Sequence, residues 1–294
     1  MREKICFIIN PVSGTRRKDA IPELIRRYVD SNRFLTEIVF TERCGHACEL
    51  ARQQTVAGTP YIVAVGGDGT VNEIASALRD SRSAMGIVPC GSGNGLARHL
   101  HLPLTPAHAL NVINHSRVQP VDYGLANGIP FFCTLGTGFD ARVSDLFARA
   151  GKRGVRKYIS IIAREFIRYR AQNYRLTVDG RTVDVKAMLV TVANASQYGN
   201  NGYISPLADI ADGKLDVCVL RPFPKILAPE LALRLVGKTI HKSLYYQSFQ
   251  GASITIDRES AASVHLDGEP FKMGETLDIH IVHHGLKVLV AKQP

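Results

Sequence analysis

Residues 61–73 read YIVAVGGDGTVNE. The apolar run Tyr61–Val65 is short, β-branched and closed by glycine, so it predicts a buried strand. Gly66-Gly67-Asp68-Gly69-Thr70 is then a turn, and Val71–Leu78 continues with helical spacing. Two further units share this form. Lys4–Ile9 runs into Asn10-Pro11-Val12-Ser13-Gly14, then Arg16, Arg17, Lys18 and the helical stretch Ile21–Val29. Met85–Val88 runs into Gly91-Ser92-Gly93-Asn94-Gly95 and a helix from Leu96. Thr36–Phe40 reads as another strand and His46–Arg52 as another helix. Strands alternating with helices predict βαβ units and a parallel sheet covered on both faces. In such a sheet all three glycine turns leave the carboxyl ends of strands. They converge on the edge where open α/β sheets bind ligands.

Glycine in such turns permits close backbone approach. Without a Cβ, successive N–H groups can point at an anion, and the positive end of the following helix adds to the pull. The phosphates of a nucleotide meet that demand. Asp68 then needs a different partner, because a carboxylate beside phosphates repels them. It requires Mg²⁺ between, or a proton taken from a nucleophile. No Gly-Lys-Ser/Thr sequence occurs, so this is not a Walker loop. The position of a third dinucleotide-binding glycine is Asn72.

The chain has 294 residues, 45% hydrophobic, with 36 Lys+Arg against 26 Asp+Glu. That length predicts two domains, and the apolar fraction excludes intrinsic disorder. No membrane span or secretory leader is legible, which predicts a cytoplasmic protein. The six cysteines are scattered through apolar runs as reduced, core-filling thiols. Cys44-Gly45-His46-Ala47-Cys48 fits neither a zinc finger nor a zinc ribbon. After Asp122 strand-like segments follow one another: Tyr174–Val178, Val183–Ala193, Leu215–Leu220, Ser253–Ile256, Ser263–Leu266, Thr276–Val282 and Leu286–Val290. Asp179-Gly180 and His284-Gly285 read as turns between strands, and Val155–Tyr169 and Pro229–Tyr245 as helices. The expected division is 1–122 and 123–294, with the C-terminal end returning to the first domain.

Taken in order, Asn10–Gly14, Thr41–Ala47, Gly66–Glu73, Pro89–Asn94, Val121–Gly124, Asp212–Asp216 and Asp267-Gly268-Glu269 resemble the diacylglycerol-kinase catalytic-domain family of lipid kinases. The resemblance implies a phosphofructokinase-like α/β nucleotide-binding domain, then a β-sandwich-like domain, with the active cleft between them. It implies that Asn10, Pro11, Ser13, Gly14, Gly66, Gly67, Asp68, Gly69, Thr70 and Asn72 hold the phosphates of ATP, with Thr41, Ser92 and Asn94 beside them. Asp68 is implied to act through water on the ATP-bound Mg²⁺, with Asp122 supporting it. Either Glu269 or Asp267 is implied as the base that deprotonates the lipid hydroxyl. Bacterial diacylglycerol kinases of this type usually carry an acid after the Asn of the third loop. Gly95 stands there, as in the sphingosine-kinase variant.

Asp209–Asp216 places oxygen ligands around a glycine turn, as hard cations require. The resemblance implies a structural Mg²⁺ or Ca²⁺ held by Asp209, Asp212 and the carbonyl of Lys214. Arg149–Arg175 carries nine Lys/Arg and a single acid, Glu165. Such a patch suits anionic headgroups at a membrane surface, and no nucleic-acid-binding motif accompanies it. The expected activity is ATP-dependent phosphorylation of a lipid such as diacylglycerol. Alternatives are a sphingoid base, ceramide or phosphatidylglycerol as acceptor, a soluble-acceptor kinase like NAD kinase, or a non-catalytic anionic-lipid binding protein. The expected partners are ATP, the lipid, a peripherally bound membrane and a second copy in a homodimer.

Overall fold

A computed structural model describes residues 2–12, 20–150 and 163–292. The chain forms two compact units, Met1–Asp122 with His283–Pro294, and Tyr123–Val282. No helix among the described residues is long and apolar enough to cross a membrane.

The first unit is built on parallel strands in the order β2 (Phe34–Phe40), β1 (Glu3–Ile9), β3 (Tyr61–Gly66) and β4 (Ala84–Pro89). The end of the last strand, β16 (Thr276–Ala291), joins β4 in parallel, with Val288 opposite Met85. Ile5 to Ile9 are all fully buried, because helices cover both faces of this sheet. One face packs Ile5, Phe7, Ile9, Val63 and Val65 against α1 (Ile21–Tyr28) and α5 (Pro106–Asn114). The register sets Ile9 beside Val65 and Val65 beside Val88. The three strands that carry glycine turns are therefore neighbours and end at one level.

The second unit is two sheets face to face. Six antiparallel strands run in the order β12 (Tyr246–Gly251), β11 (Leu215–Leu220), β10 (Leu189–Ala193), β7 (Thr134–Gly138), β14 (Ala262–Leu266) and β15 (Glu269–Met273). Against them lie β9 (Arg181–Ala187), β8 (Gln172–Val178), β13 (Ser253–Arg258) and the first part of β16. Alternate residues enter the core: Val190 and Val192, Val217 and Val219 from one sheet, Ile254 and Ile256, Leu277 and Ile279 from the other.

Several expectations are corrected. Val183–Ala193 is two strands, β9 and β10, in different sheets, with Met188 between them. The inward positions change from Val183, Val185 and Ala187 to Val190 and Val192, and the apolar run Ala187–Val190 hides that change of alternation. His284-Gly285 does not separate two strands. β16 continues through it, and His284 alone turns to φ +55°. The helix read over Pro229–Tyr245 stops at Val236, before Gly237, and resumes as one 3-10 turn at Ile240–Lys242. Helix α5 and the segment from Ser116 to Ala150 had no legible element signal, although it holds three strands and α6 (Phe139–Ala150). Of the helix read over Val155–Tyr169, residues 163–168 are helical, and the part before 163 lies outside the described residues.

Candidate active site

The edge where β1, β3 and β4 end is held together by its own glycine turns. Asn10 Nδ2 donates to Thr70 Oγ1 at 3.1 Å, tying the first turn to the second. Asp68 ties the second to the third. One carboxylate oxygen accepts the Asn94 N–H at 2.9 Å and the other the Gly95 N–H at 2.7 Å. Asn94 is buried in the left-handed conformation at the start of α4 (Gly95–His99), and its side chain both accepts from and donates to Gly91. The backbones of the two turns meet here. A Cβ on Gly91 would lie 2.6 Å from Gly67 Cα, and one on Gly93 would lie 2.6 Å from the Asp68 carboxylate. The Asp68–Gly95 bond is the structural use of position 95. The main-chain N–H serves there, and no side-chain acid is present.

Asn10, Thr41, Gly67, Gly69 and Thr70 line one cavity of about 350 Å³, with Cys44 and Glu73 on its wall. Helix α3 (Asp68–Leu78) begins at its floor, and no side chain among the described residues caps that helix start. Its first N–H groups are the kind of donors that anions take. Gly69 is the informative glycine. Its backbone is ordinary, and among the described residues a Cβ there would meet no atom within 4 Å beyond its chain neighbours and its own helix backbone. No contact among the described residues demands glycine at 69, and its missing Cβ leaves open space on the cavity side. A triphosphate fits this set of donors and this clearance.

Thr41 is buried, and its N–H extends the β1 pairing by donating to the Ile9 carbonyl. Pro11 is exposed. Ser92 and Asn94 line a second cavity of about 490 Å³, on the side of α1 and α5. Asn72 lies within α3 and lines neither cavity. Ser13, Gly14, Arg16, Arg17 and Lys18 lie outside the described residues. Glu73 carries a role that sequence reading missed. Its two carboxylate oxygens accept the N–H groups of Gly45 and Ala47, each at 3.0 Å. It thereby caps α2 (His46–Val56) and fixes the Thr41–Cys44 wall of the cavity.

Asp122 is buried, accepts the His284 N–H at 2.7 Å and faces His283 Nδ1 at 2.9 Å. The His283 and His284 rings stack at 3.6 Å. One ligand atom from each of Asp122, His283 and His284 lies within 4.8 Å of the others, close enough for the three to share a cation.

In the second unit Asp267 and Glu269 differ sharply. Asp267-Gly268 is a two-residue hairpin turn with φ +50° and +89°. The Asp267 carboxylate accepts three backbone N–H groups, from Phe132, Cys133 and Thr134, at 2.7–2.8 Å. Glu269 is exposed and accepts no hydrogen bond among the described residues. Behind the turn His265 is buried and Asp140 partly so. His265 Nδ1 accepts the Gly268 N–H, so the ring proton sits on Nε2, 3.4 Å from Asp140. Thr191 and Tyr198 also donate to Asp140.

Asp209 and Asp212 each accept a backbone N–H two residues on, from Ala211 and Lys214, and both are exposed. Partial burial raises the Asp212 pKa, and the nearby Asp209 and Asp216 add to it. Crowded carboxylates of this kind suit a hard cation.

A family model described as the diacylglycerol kinase catalytic domain matches residues 4–126. One described as the YegS C-terminal NAD kinase beta sandwich-like domain matches residues 133–290. A protein of Mycobacterium tuberculosis named "Diacylglycerol kinase" is 30% identical over 283 residues, 90% of this chain and 85% of that protein. A Chromohalobacter salexigens protein named "Probable lipid kinase YegS-like" is 30% identical over 77% of this chain and 75% of its own length. The fold also matches the crystal structure of a diacylglycerol kinase from Bacillus anthracis, with a TM-score of 0.76 and 21% identity over 99% of this chain and 97% of that chain. The chain belongs to the diacylglycerol kinase catalytic-domain family and is a lipid kinase.

Proposed function

We propose that the protein transfers the γ-phosphate of ATP to the hydroxyl of diacylglycerol. The observation that carries this reading is the cavity at the α3 N-terminus, with its uncapped helix start and the clearance kept by Gly69. Asn10 and Thr70 place the phosphates, and Asp68 holds the second and third turns in one frame. Mg²⁺ bound with ATP would be held by Asp68 through water, with Asp122 in support, and would neutralise charge on the phosphates. Glu269 is the base: it takes the proton from the lipid hydroxyl, whose oxygen attacks the γ-phosphorus as the bond to ADP breaks. Asp267 is a poorer choice, because three N–H donors already occupy its lone pairs. Positioning and electrostatics carry most of the rate. Asp209, Asp212 and the Lys214 carbonyl are a structural cation site in this reading. The lipid is met at an anionic membrane surface, to which the protein binds peripherally.

The relatives named diacylglycerol kinase favour that acceptor over sphingosine or ceramide. The test is transfer of label from γ-labelled ATP to a panel of mixed micelles, each with diacylglycerol, phosphatidylglycerol, ceramide, sphingosine or no added lipid. Label in diacylglycerol supports the reading. Label in another lipid replaces the acceptor, and label in no lipid overturns the reading.

A further inference from the structure

We infer that residues 221–244, with residues 163–170 beside them, form the face on which the protein docks to an anionic bilayer. This rests on the lipid-kinase reading above, which places the acceptor in a membrane.

The segment exposes large aliphatic side chains that a folded chain normally covers. Ile226 is 86% exposed, Leu233 73%, Leu244 85%, and Ile167 of the neighbouring stretch 66%. The helix Ala228–Val236 is anchored from its other side, where buried Leu231 packs with Leu220 and Ile240. Its outward face, with Leu233 and Val236, is exposed among the described residues.

Cations are interleaved with these tips. Residues 221–244 contain five Lys/Arg and one acid, Glu230. That acid is taken by Arg234 at 2.6 Å. Arg221, Lys225, Lys238 and Lys242 meet no carboxylate among the described residues. Two of them are fixed beside the apolar tips. Arg221 donates to the Leu244 carbonyl at 2.7 Å, and Lys225 donates to the Ile167 carbonyl. The face is also built to stay in shape. Phe139, Phe166, Phe223 and Tyr245 form a row of ring contacts at 5.3, 5.8 and 5.9 Å, which joins residues 163–170 to residues 221–245.

Lys238 also lies 4.5 Å from the centre of the Tyr203 ring. Apolar tips set among cations that meet no carboxylate match a headgroup layer. Aliphatic groups enter the acyl boundary while Lys and Arg meet lipid phosphates. A second copy of the chain is a poorer occupant. A two-fold contact on this face would bring the same cations against each other.

The test is co-sedimentation of the full chain with phosphatidylcholine vesicles, with and without phosphatidylglycerol. Two double variants are compared, Leu233→Glu with Leu244→Glu and Lys238→Ala with Lys242→Ala. All four side chains lie outside the core, so melting temperature should hold. Wild type should bind phosphatidylglycerol vesicles preferentially and lose binding as salt rises. Each variant should bind at least about tenfold more weakly. Phosphorylation of a dispersed short-chain diacylglycerol should be unchanged in both. Variants that sediment like wild type, or wild type that ignores phosphatidylglycerol, would overturn the inference. So would light scattering that finds a dimer which the Leu233→Glu, Leu244→Glu variant dissociates, since a second copy would then cover the face. Failure of wild type on the dispersed lipid strikes the kinase reading instead.

Discussion

Asp267 and Glu269 stand two residues apart, and their environments assign them different work. Replacing Asp267 by Ala strips the acceptor from three N–H groups at buried Phe132, Cys133 and Thr134. Stranded donors of this kind should cost about 3 kcal/mol in a denaturant melt. Glu269→Gln breaks no hydrogen bond. It should leave the melt unchanged while kcat falls by about 10²–10⁴-fold. If instead Asp267→Ala melts like wild type, the anchor role is wrong. The motif Asp267-Gly268-Glu269 drew notice only through the family resemblance, and sequence alone could not separate the two acids. That separation depends on which backbone amides lie within reach, and those come from residues more than a hundred positions away. Asp68 likewise joins an observed use, its bonds to Asn94 and Gly95, to the proposed one beside Mg²⁺. Asp68→Ala should lose activity and also about 2 kcal/mol of stability, because Asn94 and Gly95 lose their acceptors. Activity comparisons for that variant belong well below its melting temperature.

Helix α3 makes a cleaner separation possible. Gly69 lies in its first turn, with ordinary backbone and empty space where a Cβ would stand. Gly69→Ala should raise stability by about 0.5 kcal/mol through better helix propensity. The same methyl intrudes on the phosphate cavity and should raise KM for ATP by about 10–100-fold. A variant that is both more stable and unimpaired for ATP would move the nucleotide elsewhere. The wall of that cavity offers a second reading of occupancy, because Cys44 is exposed and lines it. ATP with Mg²⁺ should protect Cys44 from alkylation at pH 8, followed by mass spectrometry. Cys6 in β1 and Cys218 in β11 should stay unlabelled at that pH. Burial pushes both thiols up to about 12. Their native pKa lies above the unfolded value of 9.0, so the native state holds these protons longer. Stability should fall as pH rises from about 9 towards 12. The strand–glycine–helix units of this sheet were legible because apolar runs, glycine turns and helical spacing coincide there. Glu73 was not, since its capping of α2 appears only once α2 and α3 lie side by side.

At the level of the whole molecule the order of motifs was enough to reach the architecture, an α/β unit and a β-sandwich. The details that escaped share one cause. Val183–Ala193 reads as one strand, because the apolar run Ala187–Val190 hides the change of alternation that marks the break at Met188. The docking face escaped for the opposite reason. Leu231 and Leu233 look alike in sequence, yet one is 3% and the other 73% exposed, a difference set by packing alone. The basic run Arg149–Arg175 drew notice because it is dense. The cations of residues 221–244 are sparser, and their value comes from the aliphatic tips beside them.

The central claim is ATP-dependent phosphorylation of a lipid hydroxyl with Glu269 as base. Its most direct test compares wild type and Glu269→Gln for γ-phosphate transfer to diacylglycerol in micelles, with ATP binding measured alongside. Wild type should yield labelled lipid, the variant about 10²–10⁴-fold less, and both should bind ATP equally. Equal transfer by the two proteins, or no labelled lipid from wild type, would contradict it.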